Sequence, residues 1–193
     1  MFVCTLIDPP WPESGGGKCK RGADRHYSLM KPPEIHEVIR ACPLWMPDPN
    51  SHLWLWVTSN HLKSGLWLMD ALGFRYIKDF PWVKIMPTHL PDMSLAYIPQ
   101  KPGLGQYAGG QHELLLFGVR GKLPAMWKDC TTGAKRPGSV IMGPRREHSR
   151  KPIEQFDTIE NISPGPRAEL FARESRPGWM AWGDELGQLN ATD

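Results

Sequence analysis

The sequence predicts an α/β protein, an open and mostly parallel sheet flanked by helices, in a single domain spanning residues 1–193. Short apolar runs alternate along the chain with segments whose apolar residues recur at helical spacing. The first run, Val3–Ile7, is continuously apolar, which is typical of a strand buried on both faces. No internal repeat and no change in composition marks a domain boundary.

The first part of the chain continues with a helix, a strand and a second helix. Pro33–Cys42 predicts a helix because its apolar residues recur three and four positions apart. Leu53–Val57 is rich in aromatic and aliphatic residues and predicts the second strand. Another amphipathic helix is expected from about His61, and Gly73 is well placed to end it.

Two long segments separate these elements and are interpreted as mobile loops. The first covers residues 12–31, and the second, rich in proline and glycine, covers residues 85–111. The strands predicted on either side of the second loop are Arg75–Lys84 and Leu114–Val119. Loops of this length are usually functional or disordered, so both are candidates for substrate contact.

The last part of the chain predicts three short strands and one helix. The strands are Ser139–Met142, Ala168–Phe171 and Trp179–Trp182. The helix, Pro152–Ile162, has proline in its first turn and apolar residues at helical spacing.

Composition argues against several classes of protein. No apolar run approaches the roughly 20 residues of a membrane helix, and the N-terminus lacks a basic leader with a cleavage site. The four cysteines are scattered without a Cys-x-x-Cys pair, which indicates reduced thiols rather than a disulfide framework or structural zinc. We therefore expect a cytoplasmic protein with no membrane contact and no metal.

Positive charge is concentrated in two segments. The formal net charge is only +3, but residues 118–151 hold nine Lys and Arg against two acidic residues. Residues 18–31 add five basic residues against one acidic residue. Such segments form either a solvated basic face or a phosphate-binding surface, and charge alone does not separate the two.

The tetrapeptide Asp8-Pro9-Pro10-Trp11 directly follows the first strand, where ligands bind in open α/β sheets. A carboxylate at Asp8 and a carbonyl fixed by Pro9 can accept the two N–H bonds of the exocyclic amine of adenine. The paired prolines stiffen the loop, and Trp11 offers an aromatic face on which a base can stack. Alternatively, the tetrapeptide is a rigid turn with an ordinary surface tryptophan.

Further motifs accompany the tetrapeptide in a fixed order. They are His26-Tyr27-Ser28-Leu29-Met30, Leu55-Trp56-Val57-Thr58, Phe80-Pro81-Trp82-Val83-Lys84, the segment 112–121, His148-Ser149-Arg150-Lys151-Pro152, Ser163-Pro164-Gly165, Glu169-Leu170-Phe171-Ala172-Arg173 and Gly178-Trp179 with Trp182–Leu186. Together they resemble the adenine N6-methyltransferase family of messenger-RNA adenosine methyltransferases and their minimal bacterial and phage relatives. The resemblance runs from Leu6 to Leu186.

The resemblance implies a Rossmann-like methyltransferase fold whose catalytic motif lies N-terminal to the cofactor-binding strand, with S-adenosyl-L-methionine as cofactor. It makes Asp8, Pro9, Pro10 and Trp11 catalytic. It assigns three residues to the acceptor pocket, namely Tyr27, Glu113 and Ser149. It assigns four to the cofactor, namely Lys151, Arg173, Asp184 and Glu185.

Three of the four cofactor residues stand in a sequence context that bears on their role. Lys151 stands at the start of the helix predicted over Pro152–Ile162, where the helix dipole disfavours a cation, and this favours a ligand role. It is expected to neutralise the carboxylate of the cofactor. Asp184 and Glu185 depart from the amides of the messenger-RNA enzymes, so their contacts are less defined.

The expected activity is methylation of adenine in a nucleic acid, with DNA favoured over RNA because the chain resembles minimal bacterial and phage members. In a duplex the target base must be rotated out of the stack. Sequence recognition is expected from the two loops, the basic segment 118–151 or a second subunit, either a copy of this chain or a different protein. The alternatives are an RNA adenine methyltransferase and a non-catalytic nucleic-acid-binding subunit. Methylation of cytosine or glutamine is disfavoured because such enzymes generally replace the leading aspartate.

Overall fold

The computed structural model describes residues 1–12, 29–103, 107–129, 131–146, 150–184 and 186. Three α-helices are present in this part of the chain: α1 (Pro32–Ala41), α2 (Leu62–Ala71) and α3 (Gln155–Ile162). The strands are β1 (Phe2–Ile7), β2 (Pro47–Val57), β3 (Arg75–His89), β4 (Leu95–Pro99), β5 (His112–Arg120), β6 (Ile141–Pro144), β7 (Arg167–Leu170) and β8 (Trp179–Trp182).

All eight strands form one sheet in the order β4-β3-β5-β2-β1-β7-β8, with β6 paired to β3. β1 pairs in parallel with both β2 and β7, β7 with β8, and β6 with β3. β5 is antiparallel to β2 and β3, and β4 is antiparallel to β3. The predicted α/β architecture is confirmed, with a sheet that is mixed on its β5 side.

This topology brings distant parts of the sequence to one edge of the sheet. β1, β2, β7 and β8 end there, and the antiparallel β5 begins there. We call this the carboxyl edge. The tetrapeptide that follows β1 and the segment that follows β7 therefore leave the sheet side by side.

Helices cover both faces of the sheet, and the sheet separates two hydrophobic layers. On one face, α1 and α2 pack on the strands through residues such as Ile39 and Leu68. On the other, α3 packs through Phe156 and Ile159 on a tryptophan-rich surface that includes Trp56. Burying large aromatic and aliphatic side chains in both layers is the main stabilising contribution, at about 25 cal/mol per Å² of apolar surface. Six of the nine tryptophans are buried, namely Trp11, Trp45, Trp54, Trp56, Trp82 and Trp179.

The segment 85–111, expected to be a loop, instead contains the end of β3 and all of β4. These two strands form a ribbon that extends beyond the start of β5 at the carboxyl edge. Proline is tolerated in the ribbon because β4 is an edge strand. The peptide groups of Lys84 point towards Gln111 and Gln100, so by alternation the nitrogen of Pro87 points away from β4 and no ladder hydrogen bond is lost. Residues 13–28 of the other expected loop lie outside the described residues.

Smaller differences affect element ends. Gly73 has a φ of 80° directly after the α2 region, as a helix-terminating glycine does. α3 begins at Gln155, three residues later than expected.

Within the described ranges, no helix is long and apolar enough to cross a membrane. Cys4 and Cys42 are free and buried, and the same ranges contain no metal-binding group of three or more His, Cys, Asp or Glu side chains.

Candidate active site

Charged side chains lie in a row on one face of the sheet at the carboxyl edge. Side chains alternate between faces along a strand, and Trp82, Leu115 and Leu6 all belong to the α3 layer. Lys84, Glu113 and Asp8 each lie two residues from one of these, in the direction of the carboxyl edge, and therefore face the same layer.

Glu169 extends the row to β7. It stands between Ala168 and Leu170, which both pack in the α1–α2 layer, so its side chain faces the α3 layer. From β3 to β7 the row therefore consists of Lys84, Glu113, Asp8 and Glu169, one basic and three acidic groups at the end of the tryptophan-rich layer.

Ion pairs connect Lys84, Glu113 and Asp8 of this row with two further cations into a chain of five charges. Lys84 Nζ lies 2.6 Å from Glu113 Oε1, and Lys151 Nζ lies 3.1 Å from Glu113 Oε2 and 3.0 Å from Asp8 Oδ1. Arg173 Nη2 lies 4.0 Å from Asp8 Oδ2. The Lys151 ammonium is also 5.5 Å from the centre of the Trp56 ring. We call these five residues the ion network.

Electrostatics within the network favours the charged forms. Burial would raise the pKa of Glu113, but the ammonium groups of Lys151 and Lys84 outweigh burial and lower that pKa to about 2. Burial would likewise lower the pKa of Lys151, but the Asp8 and Glu113 carboxylates raise it well above its ordinary value. Both groups are therefore ionised at neutral pH.

Glu169 has the opposite shift. Burial and, after it, the negative charges of Asp8 and Glu174 raise its pKa to about 8, and Arg176 compensates only in part. A half-buried carboxyl that is largely protonated at neutral pH therefore adjoins the network.

The backbone of the tetrapeptide is tied to its surroundings on both sides. The Asp8 N–H donates to the Leu170 carbonyl, which continues the pairing with β7 past the end of β1. The Pro9 carbonyl accepts the Trp11 N–H at 2.9 Å, and the Pro10 carbonyl accepts the Met30 N–H at 3.0 Å. The Pro9 oxygen retains one lone pair, which is what acceptance of a single amine N–H requires.

Trp11 does not lie on an open surface. Its side chain is 5% exposed, its indole N–H donates to the Trp56 carbonyl at 2.8 Å, and its ring stacks on His61 with centroids 5.5 Å apart. The ring thus anchors the tetrapeptide to β2. Its predicted role as a stacking surface for the base stays a prediction.

The segment after β7 makes a sharp turn that directs Arg173 towards Asp8. Phe171 has a φ of 58°, a left-handed conformation that is strained for an aromatic residue and is common near functional sites. A β-carbon at Gly183 would collide with the Ala172 backbone, so the end of β8 lies directly against this turn. Asp184 follows at an exposed position. Arg173 and Asp184 are thereby placed in neighbouring segments.

Three predicted site residues, Tyr27, Ser149 and Glu185, lie outside the described residues. Two residues of the site, Lys84 and Glu169, were not singled out from the sequence. Each ends or begins a motif that was recognised, and the alternation of side chains from Trp82 and Leu170 would have placed them on the tryptophan-rich face.

The expectation for Lys151 as a residue at a helix start is wrong, because α3 begins only at Gln155. Lys151 instead belongs to the segment between β6 and α3. The side chains of Lys151 and Arg173 are 14% and 12% exposed at the carboxyl edge. A site that holds both cations and carboxylates within 4.0 Å of one another has the chemistry to bind a ligand with both a carboxylate and a positive centre, as S-adenosylmethionine has.

The basic segment 118–151 does not form one surface. β5 runs away from the carboxyl edge, so Arg120 lies at the opposite edge, and the Lys135 N–H donates to Asn161 near the end of α3. β6 returns the chain to the carboxyl edge beside β3. Of the nine basic residues, those after β6 are therefore the ones near the site.

The sequence of this chain is similar to a protein family and to individual known proteins. The MT-A70 family profile matches residues 2–185. An MT-A70-like protein of Medicago truncatula is 27% identical over 195 residues, and the human N(6)-adenosine-methyltransferase catalytic subunit METTL3 is 26% identical over 197 residues. Both alignments cover 100% of this chain but only 28% and 29% of the relatives.

A bacterial relative aligns over a smaller part of the chain. The type II methyltransferase M.MunI of Mycoplasma sp is 29% identical over 136 residues, which cover 69% of this chain and 50% of that enzyme. The chain thus spans half or less of the length of these three curated relatives.

Proposed function

The chain belongs to the MT-A70 family, and we propose that it transfers the methyl group of S-adenosylmethionine to the N6 amine of adenine in a nucleic acid. The observation that carries the proposal is the Asp8 carboxylate, which stands beside two prolines and is held between Lys151 and Arg173. The resemblance inferred from the ordered motifs is confirmed by the family match.

Asp8 and the Pro9 carbonyl would act on the acceptor amine. The adenine amine is a weak nucleophile because its lone pair is delocalised into the ring. When two fixed oxygens accept its N–H bonds, the nitrogen moves towards tetrahedral geometry and its lone pair becomes available. S-adenosylmethionine, when bound, would supply the methyl group that this lone pair accepts, with S-adenosylhomocysteine as the leaving group and solvent as the acceptor of the proton lost from the nitrogen. Asp8 is oriented for this by its cations before substrate arrives, which lowers the cost of reorganisation.

The cofactor would supply an electrophilic methyl group on a sulfonium centre. Lys151 and Arg173 would hold its carboxylate, because they are the two cations of the network that contact Asp8. Glu113 keeps the Lys151 ammonium within reach of Asp8. Asp184, on the neighbouring segment, is a further candidate for cofactor contact.

For the acceptor we propose DNA, with a flipped base. The name of M.MunI, a type II methyltransferase, supports this choice. RNA is the second candidate, favoured by alignments to N(6)-adenosine-methyltransferases that cover the whole chain. In either case a second subunit, a copy of this chain or another protein, would share recognition of the nucleic acid.

The test is mass spectrometry of nucleosides from DNA and RNA incubated with the protein and labelled methyl donor. We expect N6-methyladenine in DNA. Asp8→Ala should lower turnover about a hundredfold to a thousandfold, as loss of a preorganised polar contact does, while S-adenosylhomocysteine still binds. Asp70→Ala, an aspartate exposed on α2, is the matched control and should retain turnover. Near-normal turnover of Asp8→Ala would refute the mechanism, and label in RNA alone would refute the choice of DNA.

A further inference from the structure

A bidentate ion pair joins the two segments that carry the cations facing Asp8. Arg146 Nη1 donates to Glu174 Oε1 at 2.9 Å and Nη2 donates to Oε2 at 3.1 Å. Arg146 follows β6 in the segment that leads to Lys151, and Glu174 directly follows Arg173. Planar pairing of this kind fixes both distance and orientation.

The same guanidinium also holds the backbone of Lys151. Arg146 Nη1 donates to the Lys151 carbonyl at 3.1 Å. One side chain therefore contacts both the main chain of Lys151 and the residue adjoining Arg173. Arg150 Nη1 lies 3.6 Å from Glu174 Oε2 and adds a second positive charge.

The charges at this contact reinforce one another. The hydrogen bonds from Arg146 lower the pKa of Glu174; burial opposes this, and the charges of Arg146, Arg150 and Arg176 lower it further. Glu174 is thus an anion at neutral pH, surrounded by guanidinium groups. The side chains of Arg146 and Glu174 are only 26% and 36% exposed, so solvent screens the pair incompletely.

We propose that Arg146 and Glu174 are positioning residues that set the distance of Lys151 and Arg173 from Asp8. The proposal rests on the proposed function. Lysine side chains lose considerable rotamer entropy when fixed, and the network alone ties only the tip of Lys151. The Arg146–Glu174 pair fixes its main chain and links it to the turn that carries Arg173.

This assignment removes Arg146 from the set of phosphate contacts suggested by the basic segment 118–151. Glu174 and the Lys151 carbonyl use three of the five N–H donors of this guanidinium and fix its orientation, so only two donors remain for a phosphate. Loss of the Glu174 charge would free Arg146 and Arg150 instead. Nucleic-acid binding should then strengthen, with a salt slope steeper by about 0.9 for each arginine that reaches duplex DNA.

The test compares wild type with Glu174→Gln and Arg146→Lys. Titration calorimetry with S-adenosylhomocysteine should show a Kd raised about threefold to tenfold in both variants. The kcat should fall with it, while the KM for nucleic acid stays constant or falls. Glu34→Gln, which removes a carboxylate that caps α1, is the matched control for stability alone.

Two results would overturn the proposal. One is a Kd and a kcat for Glu174→Gln equal to those of wild type. The other is a loss no larger than that of a Glu34→Gln variant of the same thermal stability. Failure of the proposed function is distinguishable, because it would appear as wild-type protein that binds S-adenosylhomocysteine but methylates neither DNA nor RNA.

Discussion

Glu113→Gln removes the central anion of the ion network and should lower the free energy of unfolding by about 2–3 kcal/mol at pH 7. The pKa of Glu113 falls from an ordinary 4.5 to about 2, and each tenfold change in proton affinity corresponds to about 1.4 kcal/mol. The product, about 3.5 kcal/mol, is an upper value because glutamine keeps the shape and one oxygen. Solvent reduces it only slightly, since the Glu113 side chain is 18% exposed. Urea unfolding measures the difference.

The pH dependence of this difference provides the refutation. Because the pKa is lower in the folded state, the contribution of Glu113 is fully present above about pH 4.5 and is lost as pH falls towards 2. Wild type and Glu113→Gln should therefore converge in stability as pH falls from about 4.5 to about 2. Glu34→Gln, the control, should cost less than about 1 kcal/mol at pH 7. Equal stabilities at pH 7, or a difference independent of pH, would show that the network does not hold Glu113 as described.

Three further perturbations test the site. Lys151→Ala should raise the calorimetric Kd for S-adenosylhomocysteine about tenfold to a hundredfold, the effect of one charge-assisted contact; an unchanged Kd would contradict its assignment. Trp11→Phe keeps a ring but loses the hydrogen bond to the Trp56 carbonyl, so both turnover and unfolding free energy should fall, the latter by about 1 kcal/mol. Unchanged turnover would show that stacking is the role of the ring. Glu169→Gln should raise the melting temperature near pH 9 and leave it unchanged near pH 4. The reason is that the raised pKa of Glu169 makes burial unfavourable only as pH rises from 4.5 through 8; the same gain at both pH values would contradict this.

Local sequence patterns predicted those elements whose structure is determined locally. β8 has the bounds expected from its sequence, β1 differs by one residue, and Gly73 ends the α2 region through its positive φ. The direction of β5 could not be predicted, because the apolar run Leu114–Val119 suits a buried strand of either orientation. The ribbon of β3 and β4 was also missed. A proline disrupts strand pairing only where its nitrogen faces a partner strand, and which side of a strand has a partner depends on the sheet order.

The candidate site was predictable in location but not in its contacts. The position of Asp8 after a buried strand placed it at the carboxyl edge. Its partners depend on strand pairings, and Lys84 and Glu113 meet across 29 residues of sequence. Clustered basic residues suggested phosphate binding, whereas the chain reverses direction within that cluster and Arg146 is committed to Glu174. Neither outcome can be read from charge alone.

Because the ion network lies on the α3 face of the sheet, the two faces should differ in the substitutions that they tolerate. The opposite face, where Ile39 and Leu68 pack under α1 and α2, carries hydrophobic stability and none of the five network side chains. Substitutions in that layer at positions away from Trp11, which also packs there, should be tolerated independently of catalysis, because the sheet separates them from the ion network. Engineering for thermostability, or the attachment of a reporter domain, is therefore best directed at the outer surfaces of α1 and α2. Altered acceptor specificity must be sought on the other side.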